Sequence, residues 1–384
     1  MNAIAAKTTA SVRSAVDAAL IMAVGMGFGR FAFTAIYPHM VGEGILTLHA
    51  ASLAASANYA GYLLGALLGV RVHARSAHRV CLWSMLGTAI CLAVLYFLDA
   101  TYLIVAIRGL AGAFSALSMV AASLWLLQHR QQMHRAPLLY AGVGIGIAVS
   151  AELVVLGLHV GLDSKGLWVL LGLASAVVGL AATPGLVAKG SATIATSSKA
   201  SSARQAPLRP WPLVLVYGLA GLGYIVTATY LPLLVKSSVP HLDAAHIWAV
   251  FGLGAAPSCF VWHRLHDRLG TQRALSMNLI IQAAGVVLPV FAPSASGYLF
   301  SALLVGGTFT GTVTIAMPAA QRVAHQFRGN LMAIMTLAYG LGQIVGPLGA
   351  SALYTQSHSF SSSLLAAGAA LVLAATITAS RVCA

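Results

Sequence analysis

Three ionisable side chains lie inside long runs of apolar residues, where a chain normally keeps charge out. Arg30 follows the glycines of "GMGFGRF", Arg108 opens "RGLAGAFSA", and Glu152 lies within "GIAVSAELVV". A charge in an apolar helix costs about 2.5 to 3.5 kcal/mol at the bilayer centre, so such groups face a bundle interior or a wet cavity. Guanidinium forks match carboxylates, and a carboxylate moved between environments can take up and release a proton. The chemistry suggested is anion binding and proton transfer.

The overall composition predicts that these residues belong to a membrane protein. Of the 384 residues, 59% are hydrophobic and only 7% are charged, too few charges to coat a soluble globule of this size. The formal charge of +14 does not indicate nucleic-acid binding, because the basic residues fall in short bursts between apolar runs. The first apolar run continues past the length of a signal peptide, so we interpret it as a first span.

Apolar runs of about 18 to 24 residues, long enough to cross a hydrocarbon core as helices, occur twelve times. Residues 188–210 form the long polar interruption, rich in Ser, Ala and Lys/Arg, and predict a flexible linker. We therefore predict an all-α membrane protein, with residues 1–187 and 211–384 forming two six-helix bundles around a central cavity. The runs begin near Val16, Ser52, Val80, Tyr102, Leu138, Gly166, Pro212, His246, Ala274, Ser296, Asn330 and Ser362.

The distribution of basic residues predicts the orientation. With both termini and the linker in the cytoplasm, nearly all Lys and Arg residues outside the spans lie in cytoplasmic segments, and the outer loops carry only Lys165 and Lys236. This asymmetry follows the positive-inside rule, so we expect a multi-pass protein with cytoplasmic termini.

The two halves of the sequence repeat each other. The first and seventh spans share the spacing of two glycines and a proline, at Gly27, Gly29 and Pro38 in one and at Gly221, Gly223 and Pro232 in the other. Superposing the two spans puts Arg30 opposite Tyr224. Parallel six-helix repeats are a standard plan of secondary transporters, which bind their substrate between the halves near the midplane.

Depth along the spans predicts which polar side chains share that cavity. Counted from the expected outer ends, Arg30 is about eight residues in, Arg108 about six and Glu152 about eight, so the three are expected at one level as a cluster. The other predicted substrate-binding residues are Asn58, Tyr59, Tyr224 and Thr227. Alternatives remain open: a fixed ion pair with Glu152, arginines that only tune Glu152, hydrogen bonds from Arg108 to carbonyl groups, and simple packing of the tyrosines.

Small residues predict close helix packing. In the second span Gly61, Gly65 and Gly69 share one face and can let a neighbouring backbone approach. The glycines before Arg30 should loosen the backbone there or admit a neighbouring helix. Gly346 and Pro347 should kink or hinge the eleventh span, because proline removes a backbone donor and clashes with the preceding turn.

Several motifs resemble the major facilitator superfamily. "HDRLGTQR" at residues 266–273 resembles its cytoplasmic loop signature, "GLGQIVGPLGA" at 340–350 its Gly-Pro motif, and "RGLAGAFSA" at 108–116 its fourth-helix motif. The stretches "GMGFGRFAFTAIYPHM" and "GLGYIVTATYLP" are similar to the bacterial YbfB/YjiJ-type branch. The resemblance implies twelve helices in the inner membrane and solute transport, usually coupled to protons.

The same resemblance implies gating residues. In the family the loop signature helps to latch the outward-open state through charge pairing, which assigns a gating role here to Asp267, Arg268 and Arg273. The Gly346–Pro347 pair is the other predicted gating element, as the kink or hinge of the eleventh span. The first copy of the loop, "GVRVHARSAHR", lacks the usual aspartate. Asp267 is therefore left to hold its loop against the adjacent helix end or neighbouring basic groups, and a simple solvated loop remains the alternative for the first copy.

Competing classes of function leave less of the sequence explained. A membrane-embedded enzyme predicts a catalytic motif such as HExxH, a nucleotide-driven pump predicts a GxxxxGK[ST] loop, and a channel predicts rings of charge or filter loops. We therefore predict a monomeric secondary transporter of a small anionic or carboxylate-bearing solute, driven by protons through Glu152, with no cofactor or metal. Proton-driven efflux of amphipathic compounds is the alternative.

Overall fold

The regular structure of the described residues is helical. The computed structural model describes residues 2–187, 209–239, 241, 243–323 and 331–380, with side chains from residue 12 onward. Residues 188–208 of the predicted linker and the predicted start of the eleventh span at residue 330 lie outside them. The helices are α1 Asn2–Met22, α2 Ala32–Gly42, α3 Leu48–Gly69, α4 Ala77–Val94, α5 Thr101–Ser123, α6 Ala136–His159, α7 Ser164–Val187, α8 Pro210–Ser238, α9 Ala244–Phe291, α10 Ala295–Val323, α11 Leu331–Ser357 and α12 Ser361–Ala379.

Ten helical stretches within the described residues are long and apolar enough to cross a membrane. The helix α3 is not among them, because polar side chains such as Asn58 and Tyr59 lower its hydropathy. The helix α9 counts once, although Gly270 interrupts it with φ 77° and ψ 169°, a conformation that glycine adopts easily. The all-helical membrane class is confirmed, and the twelve-helix, two-bundle arrangement stays a prediction.

The first span changes its winding just before and at Arg30. The residues Ala23–Phe31 between α1 and α2 form a π-helix, a wider turn often found at functional sites. A neighbouring helix also comes close, since a Cβ atom on Gly27 would lie 2.4 Å from the carbonyl carbon of Gly146 in α6. Of the two expected effects of the glycines, the close neighbour is therefore present, and the backbone winds as a π-helix.

The helix packing repeats along the chain. We call residues 12–187 the N-terminal half and residues 209–380 the C-terminal half. In the N-terminal half α1 packs on α6, α3 on α5 and α4 on α7; in the C-terminal half α8 packs on α11, α9 on α10 and α9 on α12. Between the halves, α3 packs on α11 and α6 packs on α9. This pattern agrees with the internal sequence repeat and leaves Arg30 near the junction of the halves.

Glycines of α3 bring its backbone against α5. A Cβ atom on Gly61 would lie 1.8 Å from the carbonyl oxygen of Gly109, and one on Gly65 would lie 2.4 Å from that of Ala113. From the other side, a Cβ atom on Gly112 would meet the carbonyl oxygen of Asn58 at 2.0 Å. The predicted packing role of the α3 glycines is confirmed, and this contact fixes Arg108 on α5 relative to α3.

We expect Gly61→Ala to destabilise the protein, because the methyl group collides with the backbone of α5 and overpacking costs about 1 to 3 kcal/mol. The measurement is the thermal unfolding midpoint, Tm, of the detergent-purified protein. Gly349→Ala in α11 is the matched control, since a Cβ atom there meets nothing within 4 Å. Equal Tm values for the two variants would contradict the close contact of α3 and α5.

Candidate functional site

Arg30 lies buried where the two halves meet and is 4% exposed. Its Nη2 atom donates a hydrogen bond to Oε1 of Gln343 in α11 at 2.7 Å. Its guanidinium carbon lies 4.0 Å from the centroid of the Tyr62 ring, 5.1 Å from that of Tyr59 and 5.2 Å from that of Phe31. Cation–π contacts of this kind contribute roughly 0.5 to 2 kcal/mol each and replace part of the lost hydration.

Gln343 links Arg30 to Tyr224. Its Nε2 atom donates to the Tyr224 hydroxyl, while its Oε1 atom accepts from Arg30. The two positions that the sequence repeat superposes therefore meet through a single amide. Gln343 is missing from the predicted site, although an amide inside an apolar span, within the motif at residues 340–350, was a signal for it.

Arg108 holds the backbone of the first span. It is 1% exposed, and its Nη1 and Nη2 atoms donate to the carbonyl oxygens of Gly29 and Arg30, each at 3.0 Å. Its guanidinium carbon lies 4.5 Å from the Phe33 ring centroid. Asn58 in turn donates from Nδ2 to the carbonyl oxygen of Arg108 at 2.9 Å. This arrangement agrees with the alternative in which Arg108 bonds carbonyl groups and, with Asn58, positions Arg30.

A third carbonyl at the end of the π-helix is bound from the other half. Trp248 of α9 donates from Nε1 to the carbonyl oxygen of Phe31 at 3.0 Å. The carbonyl groups of residues 29, 30 and 31 thus all accept side-chain donors, two from Arg108 and one from Trp248. The backbone that carries Arg30 is held from both halves.

Buried aromatic rings adjoin Arg30 on the C-terminal side. The Tyr224 ring stacks on Phe309, with centroids 5.4 Å apart and planes 20° apart, and on Tyr339, at 5.8 Å and 22°. Phe309 also meets Phe31 edge-on at 5.9 Å. We call the whole set the central aromatic cluster: Phe31, Tyr217, Tyr224, Trp248, Phe251, Phe309 and Tyr339.

Of the two other predicted binding residues, only Tyr59 is seen to contact Arg30. The Tyr59 hydroxyl lies 3.4 Å from Oγ1 of Thr229 in α8, so Tyr59 contacts both Arg30 and the C-terminal half. Thr227 is fully buried, and its hydroxyl has no hydrogen-bond partner among the described residues. Tyr59 therefore lies at Arg30, whereas Thr227 is a buried polar group of α8.

Further hydrogen bonds join the halves toward the predicted outer side. The Tyr230 hydroxyl lies 2.6 Å from Oγ of Ser52 and donates to the carbonyl oxygen of Pro347 at 2.8 Å. Lys236 donates from Nζ to the carbonyl oxygen of Pro38 at 3.0 Å. The Ser52 and Lys236 contacts join α3 and α2 of the N-terminal half to α8 of the C-terminal half, while the Pro347 bond joins α8 to α11 within the C-terminal half.

Glu152 does not join the arginines, so the expected three-residue cluster is wrong. Its side chain is 51% exposed, and Oε1 lies 2.9 Å from Nδ1 of His246. Counting along a helix predicted its depth but not the direction it faces. Glu152 lies on α6 and His246 near the start of α9, so this pair links the two halves away from Arg30.

The predicted gating residues lie at the surface of the described structure. Asp267 is 63% exposed, and its Oδ2 atom lies 3.6 Å from Nε2 of His263, one turn earlier in the same helix. Arg268 and Arg273 are also exposed. Among the described residues the ion-pair partner of Asp267 is therefore His263, and residues 324–330, which precede α11, lie outside them. A gating role for these residues stays a prediction.

A different residue of that motif is buried. His266 is 5% exposed, and its Nε2 atom lies 2.8 Å from Oγ1 of Thr271, which also accepts a hydrogen bond from Arg322 of α10. This contact ties the α9 turn at Gly270 to α10. The sequence pattern pointed to the charged neighbours of His266 because the resemblance rests on them.

The Gly346–Pro347 pair lies inside α11, which continues helical through it. A Cβ atom on Gly346 would lie 2.4 Å from Cγ2 of Ile225, so the glycine allows close contact with α8. The carbonyl oxygen of Pro347 accepts the Tyr230 hydrogen bond. The pair therefore packs against α8, and its predicted hinge function is untested.

Asp17 is a buried carboxylate that was not predicted, because it lies beside the expected start of the first span at Val16. It is 1% exposed, and its Oδ1 atom lies 3.3 Å from Nε of Arg13. A Cβ atom on Gly185 would lie 1.8 Å from Oδ2, so only glycine leaves room for the carboxylate. Arg130 donates to the Gly185 carbonyl oxygen at 3.0 Å; burial lowers the pKa of Arg130, and the charge of Asp17 opposes that effect.

The acidic side chains are engaged elsewhere. All seven Asp and Glu residues lie in the described part of the chain. Asp17 pairs with Arg13, Asp99 with Lys165, Glu152 with His246 and Asp267 with His263, while Glu43, Asp163 and Asp243 accept backbone hydrogen bonds from Ser164, Gly166 and Ala245. None of them forms an ion pair with Arg30 or Arg108.

The arrangement suits an anion and opposes a cation. Arg108 already donates from both terminal nitrogens, whereas Arg30 donates from Nη2 to a neutral amide; the Nε atoms of both have no partner among the described residues. Two neighbouring guanidinium groups repel a metal ion and attract a carboxylate. The group free to bind an anion is therefore Arg30.

Comparison with known proteins gives one family. A family model described as "Uncharacterised MFS-type transporter YbfB" matches residues 22–379, nearly the whole chain. A search of curated proteins gives no match.

We expect Arg108→Met to destabilise the protein, because methionine leaves the carbonyl groups of Gly29 and Arg30 without their donors. Unsatisfied buried polar groups cost about 1 to 3 kcal/mol each. The measurement is Tm of the purified protein, with Arg79→Met at an exposed position near the start of α4 as the control. A Tm unchanged by Arg108→Met would contradict its structural role.

Proposed function

The chain belongs to the family of MFS-type transporters described as YbfB, and on that premise we propose that it carries a small carboxylate-bearing solute by alternating access. Membership in this family supports secondary transport as the class of activity. The family does not specify a solute, so the proposal for the solute rests on the chemistry at Arg30.

The observation that carries the proposal is the missing counter-charge of Arg30. Its guanidinium is buried, and the acidic side chains of the chain are all engaged elsewhere. Burial of a charge without an ionic partner is unfavourable, even when neutral groups accept its hydrogen bonds. A bound carboxylate supplies the opposite charge that the protein itself withholds from this position.

The contact with Gln343 supports the same reading. An amide oxygen occupies the place where a carboxylate oxygen would bind, but it lacks the charge. A solute carboxylate can therefore replace it with a gain in electrostatic energy, since charge-assisted hydrogen bonds are about twice as strong as neutral ones. Gln343 keeps Arg30 partnered when the site is empty.

The contacts between the halves support alternating access. The proposed architecture has twelve spans, with α3 as the second and α9 divided at Gly270 into two, and the halves move about the junction that holds Arg30. Hydrogen bonds such as Ser52 to Tyr230 and Lys236 to Pro38 close the junction on the predicted outer side. With cytoplasmic termini, this conformation is closed toward the outside.

Coupling to protons is the second part of the proposal. Glu152 is not at Arg30, but its contact with His246 joins α6 to α9 across the junction. Loss of the Glu152 charge, the coupling step in this proposal, would leave a neutral partner for His246 and weaken this link between the halves. Proton uptake on one side can thereby favour opening on that side. We further propose a monomer in the inner membrane.

Export of amphipathic compounds is the second candidate function. The central aromatic cluster favours it, because stacked apolar rings suit hydrophobic compounds as well as anions. The two candidates differ at Arg30: an exporter of neutral or cationic compounds does not need this guanidinium, whereas a carboxylate transporter does.

We expect Arg30→Ala to abolish uptake of labelled carboxylates into proteoliposomes and Arg30→Lys to weaken binding, because lysine lacks the planar fork. Gln343→Glu should also block binding, since a resident carboxylate then occupies the guanidinium, while it raises Tm. Loss of a charge-assisted pair corresponds to about a ten- to hundredfold loss of affinity. The measurements are initial uptake rates and equilibrium dissociation constants for a panel of carboxylates.

Arg75→Ala in an exposed cytoplasmic position is the control and should transport normally. Normal carboxylate uptake by Arg30→Ala and Gln343→Glu would contradict anion transport at this site. Retained transport of neutral amphipathic compounds by Arg30→Ala, with no carboxylate uptake by the unmodified protein, would support the second candidate.

A separate prediction concerns coupling. Glu152→Gln keeps a hydrogen-bond acceptor for His246 but cannot titrate, so it should abolish proton-driven accumulation and retain solute exchange. Accumulation is measured in proteoliposomes with an imposed pH gradient. Asp99→Asn is the control, because Asp99 is an exposed carboxylate that pairs with Lys165 within the N-terminal half. Accumulation by Glu152→Gln at the normal level would remove Glu152 as the coupling group.

A further inference from the structure

The aromatic rings around Arg30 determine which kind of carboxylate can bind there. Phe309 of α10 contacts the Tyr224 ring at one end of the hydrogen-bonded chain and the Phe31 ring next to Arg30 at the other. The chain from Arg30 through Gln343 to Tyr224 is thus bordered by aromatic side chains from α8, α10 and the π-helix. A solute that displaces the Gln343 side chain from Arg30 enters among these rings.

The number of free guanidinium groups limits the charge of the solute. Among the described residues Arg108 donates from both terminal nitrogens to backbone carbonyl groups and keeps only Nε without a partner, so Arg30 offers the guanidinium with more unused donors. A single fork binds one carboxylate in bidentate fashion. A second negative charge would meet buried rings and no cationic partner, which is unfavourable. The site therefore suits a monoanion.

The chemistry of the rings distinguishes aromatic from aliphatic groups. Aromatic rings carry a quadrupole and prefer stacked or edge-on neighbours, an energy beyond that of simple apolar burial. A planar ring that enters beside Phe309 and Tyr224 makes such contacts on both sides. A saturated ring of the same size buries a similar apolar area but makes no such aromatic contacts. It is also thicker than a planar ring.

From these observations we propose that the solute is an aromatic monocarboxylate. Its carboxylate replaces the Gln343 amide oxygen on Arg30, and its ring packs against Phe309, Tyr224 and Phe31. This inference rests on the proposed carboxylate transport at Arg30 and adds the part of the solute that the aromatic rings recognise. Phe309 is the residue that sets the preference for a ring.

The test compares three probes on the full-length, detergent-purified protein by isothermal titration calorimetry. Benzoate has the ring and the charge, cyclohexanecarboxylate has the charge without the aromatic ring, and benzamide has the ring without the charge. We expect benzoate to bind about two- to tenfold more tightly than cyclohexanecarboxylate, the range given by aromatic contacts. Benzamide should bind at least about tenfold more weakly than benzoate, because it lacks the charge.

Two variants connect the preference to the site. Phe309→Leu should remove the advantage of benzoate and leave the affinity for cyclohexanecarboxylate unchanged. Phe300→Leu is the matched control, because Phe300 lies on the opposite face of α10 and is 59% exposed, and it should keep the full preference. If Phe309→Leu does not fold, the three probes still test the proposal on the unmodified protein.

The possible failures are distinguishable. Equal affinity for benzoate and cyclohexanecarboxylate would overturn the aromatic inference and leave carboxylate transport standing. A benzoate preference that persists in Phe309→Leu would remove Phe309 from the specificity site. Benzamide binding as tightly as benzoate, or no carboxylate binding by folded protein, would overturn both the inference and the proposed function.

Discussion

The two hydrogen bonds from Arg108 to successive carbonyl groups are the interaction on which the centre of the molecule depends. A carbonyl oxygen has two lone pairs, so the carbonyl groups at the end of the π-helix can accept hydrogen bonds from side-chain donors. The guanidinium fork supplies two of these donors at once, and Trp248 supplies the next. Since the bound carbonyl groups belong to Gly29, Arg30 and Phe31, the same contacts fix where the Arg30 side chain leaves the backbone. Through these contacts Arg108 orients Arg30, the residue proposed to bind the solute.

The small number of acidic residues leaves the two buried arginines without a negatively charged partner. The chain has only seven Asp and Glu residues against 21 Lys and Arg. Most basic residues lie at predicted cytoplasmic ends, where water and lipid headgroups solvate them, so their excess has little effect inside. In the interior the excess positive charge lies on two arginines. Arg108 donates hydrogen bonds to neutral carbonyl groups, and Arg30 contacts a neutral amide and aromatic rings. Neutral acceptors keep both groups buried without cancelling their charge, which leaves the interior attractive to an anion.

The sequence predicted some parts of this site well and others poorly, for physical reasons. The helical membrane class, the burial of Arg30 and the close contacts at its glycines followed from hydropathy and from residue size. Position along a helix is easily counted, and this gave Arg30 and Arg108 comparable depth. The direction a side chain faces depends on helix rotation and partners, which is why Glu152 was wrongly placed with them. Asp17 was missed because charges near an expected helix end are ordinarily solvated. Gln343 has no charge to mark it, and its importance depends on Arg30, which is distant in the sequence.

Pro347 has a further consequence for the residue one turn before it. Proline has no backbone N–H, so within α11 it cannot donate to the carbonyl group of Gln343, four residues earlier. The stretch of α11 that carries the Arg30 partner therefore lacks one of the bonds that stiffen a helix. The turn of α11 that carries Gln343 is therefore held by one backbone hydrogen bond fewer than a regular turn. The residue whose backbone carbonyl loses this hydrogen bond is thus the one whose side chain bonds Arg30.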